Sequence, residues 1–151
     1  MSTCCAIGLS GPTISACADW SDAQSSAMAK LNEAVSIHPY FEIHEGMVED
    51  FVALMPEFVK KTSEEEGCLY YDFSRNGNIA FCREAYIGAE GVLAHVENVG
   101  DLIAQFLEMS ELIRFEIHGP AEELEQLREP LAHLDADFYE MDTGVEEPLG
   151  L

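Results

Sequence analysis

Glu84, Tyr86, Tyr71 and His95 are the residues of this sequence best suited to moving protons. Three of them lie in Gly67–Tyr86, GCLYYDFSRNGNIAFCREAY, where two apolar, aromatic-rich runs flank Asn76-Gly77. Asn-Gly between alternating runs predicts a β-hairpin, because both residues tolerate positive φ. Side chains alternate along a strand, so Leu69, Tyr71, Phe73, Ala80, Cys82, Glu84 and Tyr86 share one face. A carboxylate in the middle of that apolar face is costly unless paired. Burial would raise its pKa toward the range of a general acid or base. The plainer alternative is a structural acceptor for tyrosine hydroxyls. Tyr71 and Tyr86 could stack on an aromatic ligand and offer it a phenolic proton. They could equally be core tyrosines with satisfied hydroxyls. His95 borders an apolar helical stripe; it is a near-neutral base by chemistry, or a boundary residue capping a carbonyl.

The remaining chemical residues read more plainly. Asp72 and Arg83 lie diagonally on the other hairpin face and suit a structural pair at a subunit seam better than a substrate clamp. Cys82 could sense oxidants, although buried thiols are usually inert. His38 and His118 fall on a sheet face or in a loop. The histidines form no HxH or HxxxH pair, so no metal site is expected. The cysteines number five, an odd count, with no CxxC, which suggests free thiols in a reducing compartment rather than disulfides or zinc.

These residues must be positioned by the elements around them. Residues 1–34 read as an N-terminal arm, disordered to Cys17, with a helical stripe through Trp20, Ala23, Ala27, Leu31 and Ala34. Val35–Ile43 is a strand, with Ile37, Pro39, Phe41 and Ile43 alternating against Ser36, His38, Tyr40 and Glu42. Pro39 cannot donate to a ladder, so this strand is expected at an edge, or to carry a bulge. Glu45–Glu66 is a helix with Met47, Phe51, Leu54, Met55 and Phe58 inward, kinked or restarted at Pro56. Lys60 and Lys61 suit its C-terminal dipole, whereas Glu64–Glu66 do not. The hairpin follows, pairing Arg75 with Asn78 and Tyr71 with Cys82.

Two short helices are expected next, GAEGVLAHVENV and GDLIAQFLEMSE, the second capped by Asp101. Then come a strand with Ile113, Phe115 and Ile117 on one side, a helix opened by Pro120 with Leu124, Leu127, Leu131 and Leu134 inward, and a short strand ADFYEM. The order is β-α-β-β-α-β with an added α-β unit. This is α+β: a ferredoxin-like split β-α-β with an antiparallel sheet and helices on one face. The chain divides into the arm at 1–34, the ferredoxin-like domain at 35–118, an additional α-β unit at 119–141 and a flexible tail at 142–151. The bare sheet face has apolar and aromatic residues, and a symmetric homodimer, sheet against sheet, would cover it.

The composition narrows the function classes. A chain of 151 residues is one domain's worth and 48% hydrophobic, so it can bury a core. A net charge of −22 argues against nucleic acid, whose phosphates demand a basic footprint, and against anionic membrane surfaces. No apolar run approaches the ~20 residues of a membrane span. The N-terminus lacks a basic signal region, so the cytoplasm is the expected compartment.

The segments EEEGCLYYDF and NIAFCREAYIGAEGVLAHV resemble the antibiotic-biosynthesis monooxygenase family of dimeric α/β barrels, of quinol-monooxygenase type. The landmarks are Gly67-Cys68 after a Glu-rich helix end, Glu84-Ala85-Tyr86 at a strand end, and Leu93-Ala94-His95 in a helix. The resemblance spans Val35–Ile117 and leaves out IHGPAEELEQLREPL. It implies an oxygenase without flavin, metal or haem, acting with O2 on a quinol or polycyclic phenol. It also implies that the Glu84 face meets the helices and walls a pocket. His95 would then be the base, Glu84 and Tyr86 its support, and Tyr71, Phe73, Cys82, Phe41 and Phe51 the substrate wall. Haem-degrading members use an Asn, a Trp and a His where this chain has Pro39, Tyr86 and Gln105, so haem degradation is not implied. The rival expectations are a non-catalytic small-molecule-binding dimer and a stress-related dimer on the same fold.

Overall fold

A computed structural model describes residues 32–144. Strand β1 (Ala34–Ile43) is followed by helix α1 (Val48–Thr62), the hairpin β2 (Cys68–Asn76) and β3 (Ile79–Ile87), helix α2 (Gly88–Met109) and strand β4 (Ser110–Gly119). Helix α3 (Ala121–Arg128), a 3-10 turn (Ala132–Leu134) and strand β5 (Asp137–Glu140) follow. The five strands form one sheet in the order β2-β3-β1-β4-β5. All pairings are antiparallel except β4 with β5, which is parallel. The fold is α+β and ferredoxin-like, as the alternating pattern predicts. The helical stripe expected before residue 32 lies outside the described residues.

Several expectations need correction. β1 is the central strand and not an edge. Its proline is accommodated by irregularity on both sides. The β3 partners skip His38 and Pro39, and the β4 register shifts between Tyr40 and Phe41. That shift makes Ile113 the extra residue: Arg114 pairs with Tyr40 and Leu112 with Phe41. Ile113 is therefore 48% exposed, and Leu112 packs inward in its place.

Pro56 neither divides nor restarts α1, which continues as one helix. Gly100 likewise does not separate two helices. α2 runs unbroken to Met109, and Asp101, expected as a cap, instead receives Lys61 at 2.7 Å. α3 stops well before Leu134, just ahead of Pro130.

The hairpin turns on Gly77-Asn78, with Gly77 at φ 62°, so Asn76 pairs with Ile79, Phe73 with Cys82 and Tyr71 with Glu84. This is two residues from the expected register. A slip of two preserves the predicted faces from Tyr70 onward, but the irregularity between Cys68 and Tyr70 turns Cys68, expected on the other face, toward the core. Asp72 and Arg83 stand directly opposite each other, with Arg83 donating at 2.6 Å.

The core forms two clusters on the helix-bearing face. Val35, Ile37, Tyr86, Val92, Ile117 and Leu124 join Leu127 and Leu131, so the chain beyond Gly119 belongs to the core. Glu123 of α3 also accepts the Ala89 N–H at 2.7 Å, placing a carboxylate at the start of α2. The second cluster is aromatic: Phe51 stacks on Phe106 at 3.8 Å, with Phe41, Phe58 and Phe73 around them. Each buried phenylalanine contributes about 2 kcal/mol of burial free energy. Among the described residues no helix is long and apolar enough to cross a membrane.

Candidate active site

Strand β3 turns Cys82, Glu84 and Tyr86 toward the helices, because alternate residues share a face. Its neighbour β2 sets Tyr71 opposite Glu84 and Phe73 opposite Cys82. Above them α2 presents His95, Val99 and Ile103 at helical spacing. Between these layers lies a cavity of about 350 Å³. Its floor includes Ile37, Pro39 and Phe41 of β1 with Phe115 of β4; its roof is α2 from His95 to Leu107. Phe58, Tyr71, Phe73, Cys82 and Glu84 form a side wall, and His133 and Leu134 of the 3-10 turn close another.

Glu84 is 3% exposed and is the most perturbed carboxyl of the site. Burial pushes its pKa up to about 8; the Tyr86 hydroxyl and the Cys82 thiol oppose that rise, and the Glu65 charge adds to it. A neutral acid at pH 7 avoids burying an unpaired charge. The Tyr86 hydroxyl donates to Glu84 Oε2. His95 Nε2 lies 3.2 Å from the same oxygen. On the other side of the ring, Nδ1 lies 3.1 Å from both oxygens of Glu65. Burial lowers the His95 pKa, and the Glu65 carboxylate pulls it back up. Burial first, then the neighbouring Glu84 charge, pushes the Tyr86 phenol well above its ordinary value. Burial, then Cys82 and Glu84, raise Tyr71; burial and Glu84 raise Cys82 against the opposing Tyr71 hydrogen bond, so both stay protonated near neutrality.

The predicted catalytic residues are therefore brought together, although they do not stand alike. Glu84 and His95 line the cavity; Tyr86 lies behind Glu84 and touches it rather than the space. Tyr71, Phe73, Cys82 and Phe41 are in the lining. Phe51, expected in the wall, is not: stacked on Phe106, it is completely buried in the aromatic cluster. His38 and His118 lie on the opposite sheet face, in edge contact at 4.9 Å. Among the described residues no group of three or more His, Cys, Asp or Glu is disposed to hold a metal ion.

Glu65 was not anticipated by sequence reasoning. Its one signal was an acidic run at a helix C-terminus, where the dipole disfavours it. The carboxylate is placed there by the His95 ring, which sits a long way off in the chain. His133 also reaches the site through tertiary packing alone.

The family model described as antibiotic biosynthesis monooxygenase matches residues 34–81. Among solved structures, MupZ from Pseudomonas fluorescens is 43% identical, with a TM-score of 0.73 over 76% of this chain and 89% of that one. A conserved protein from Methanosarcina mazei Go1 is 16% identical, with a TM-score of 0.56 over 62% of this chain and 97% of that one. Rv0793 from Mycobacterium tuberculosis is 21% identical, with a TM-score of 0.52 over 58% and 94% respectively. These last two share the fold. Among curated proteins none matches the chain in sequence.

Proposed function

The chain belongs to the antibiotic biosynthesis monooxygenase family, and from that premise we propose that it is a cofactor-independent monooxygenase acting with O2 on a quinol or polycyclic phenol. One observation carries this reading: a cavity walled by aliphatic and aromatic side chains has Glu84 and His95 in its lining, with Glu84 Oε2 3.2 Å from His95 Nε2. A flat, electron-rich phenol fits such walls, and exclusion of water protects reactive oxygen species.

With Glu84 ionised, the pair takes the phenolic proton between His95 Nε2 and Glu84 Oε2, which lie 3.2 Å apart. The resulting anion supplies the electrons. One passes to O2, and recombination of the radical pair forms the new C–O bond. The phenolic proton returns to the distal peroxide oxygen; the C–H bond at the oxygenated carbon and the O–O bond then break, the carbon's proton joins the departing hydroxide as water, and a C=O bond forms. One oxygen atom stays on the substrate, and both reducing electrons come from it.

A second reading is favoured by the neutral state of Glu84 and by a lining without lysine or arginine. A neutral carboxylic acid beside a histidine is equipped to protonate a substrate oxygen while the histidine accepts a proton. Such a site would isomerise a neutral apolar molecule, or open or close a C–O bond in it, without O2.

We also propose that the face carrying His38, Tyr40 and Phe81 meets a second copy of the chain. Tyr40 and Phe81 stack at 4.7 Å on that face, and a sheet-against-sheet dimer would bury both.

The test is O2 consumption with reduced naphthoquinols and anthrones, comparing wild type with His95→Ala and Glu84→Gln. Metal-independent uptake that both variants lose supports the oxygenase and its residues. Uptake that both retain moves the chemistry elsewhere. Conversion of the panel without O2 uptake selects the second reading, and binding without conversion selects a small-molecule-binding protein.

A further inference from the structure

We propose that Glu65 is the positioning residue of the Glu84–His95 pair, holding His95 as its Nδ1–H tautomer and connecting the pair to solvent for proton exchange. The proposal rests on the acid–base reading of the site.

The imidazole of His95 is almost completely buried, with side-chain exposure of 4%, and each of its nitrogens faces a carboxyl group. A neutral imidazole has one N–H and one lone pair. An ionised Glu65 can only accept, and both its oxygens lie 3.1 Å from Nδ1, so the N–H belongs there. The lone pair then lies on Nε2, 3.2 Å from Glu84 Oε2, and a proton on Glu84 is within reach of it. Burial of Glu84 favours the same arrangement.

Glu65 is itself held. Its Oε1 accepts the Asn98 amide at 2.7 Å, and its backbone is tied to Thr62 on one side and Cys68 on the other. Around the ring stand Glu84 and Tyr86 from β3 and Tyr71 from β2. Lys61 and Asp101, paired with each other, lie at the outer edge beyond Asn98. Among the described residues no cation lies in contact with the ring.

The arrangement lets Glu84 change role without any change in total charge. When the O–H bond of Glu84 breaks and the proton bonds to Nε2, the carboxyl becomes a carboxylate and the ring an imidazolium. The three groups together carry one negative charge before and after, and Glu65 stabilises the imidazolium. Exchange with solvent is completed when Nδ1–H breaks and an O–H bond forms on Glu65. Exposure rises along that direction, from 4% for the side chains of Glu84 and His95 to 11% for Glu65.

The test needs no substrate. Nitrogen-15 spectra of histidine-labelled protein report the tautomer of each ring, with His95 assigned by its loss in His95→Gln. The expected wild-type result is Nδ1–H at pH 7. In Glu65→Ala the ring should shift toward Nε2–H. In Glu65→Gln, which keeps an acceptor and serves if the alanine variant does not fold, Nδ1–H should persist. The protonation midpoint of His95 should then fall by about one pH unit, the effect of removing one adjacent opposite charge. A wild-type Nε2–H tautomer would overturn the proposal, and so would an unmoved midpoint in Glu65→Gln. The expected tautomer in a protein that turns nothing over would retain Glu65 as positioning residue and refute the proposed activity. Turnover with an unmoved midpoint would do the reverse.

Discussion

Tyr86 donates its hydroxyl to the same Glu84 oxygen that stands 3.2 Å from His95 Nε2. A hydrogen bond to a carboxylate favours the ionised form, so Tyr86 partly offsets the burial that holds Glu84 neutral. Tyr86→Phe should raise the Glu84 midpoint further above about 8. It should also cost about 1 kcal/mol of stability. That loss should be larger at pH 9 than at pH 6, because the unpartnered oxygen is then charged. Urea unfolding at the two pH values checks this, and equal losses would contradict it.

Glu84 also gives the fold a pH dependence of definite sign. Its folded pKa of about 8 lies above the ordinary 4.5. A raised acid contributes stability that is fully present below 4.5 and lost as pH rises through 8. Glu84→Gln removes that loss. Thermal melts of the two proteins should diverge steadily from pH 5 to pH 9 in favour of the glutamine variant. By pH 9 the gap should exceed about 1.4 kcal/mol, the equivalent of one pKa unit. Parallel curves would mean that Glu84 is ionised in the folded protein.

The start of α2 is pressed against the end of β3. A Cβ at Gly91 would stand 3.0 Å from Tyr86 Cβ, and one at Gly67 would stand 3.2 Å from the Gly91 Cα. Both neighbours are rigid near-backbone atoms. Gly91→Ala should therefore cost about 1–3 kcal/mol in urea unfolding, as overpacking does. It should also displace Tyr86 from Glu84, moving the Glu84 titration upward as Tyr86→Phe does. A neutral substitution would show that the contact yields freely.

Assembly through the helix-free face predicts an acid-sensitive dimer. Burial lowers the His38 pKa, His118 lowers it further, and Glu116 opposes them. A depressed histidine contributes stability that is present above 6.5 and lost as pH falls through its folded value. Light scattering after size exclusion should show a dimer at pH 7.5 that weakens below pH 6.5. Phe81→Glu, which places a charge beside Tyr40, should be monomeric throughout. A monomeric wild type at pH 7.5 would remove the dimer proposal.

Local patterning decided a great deal by itself. Alternation through Gly67–Tyr86 put Tyr71, Cys82, Glu84 and Tyr86 on one face, and a two-residue error in register did not disturb it, because the side-chain period is two. The same alternation placed Phe41 and Ile37 inward on β1. Periodicity also marked His95 as bordering a buried stripe. These features depend on residues a few positions apart, whose geometry the backbone dictates.

What lay beyond that range was decided by packing. Pro39 looked like an edge residue, yet neighbouring strands enclose β1 and absorb the proline in a ladder irregularity. Gly100 and Pro56 looked like helix breaks, yet tertiary contacts along α2 and α1 outweigh their local cost. Phe51 was one of several apolar side chains with the right type for a pocket wall; only its stacking on Phe106 put it in the core. Glu65 and His95 meet across a long stretch of chain, as do Glu123 and Ala89. No local propensity encodes such a meeting, because it follows from where the helices settle on the sheet. The sequence therefore determined which titratable groups share a face, and the tertiary structure decided which of them meet across the cavity.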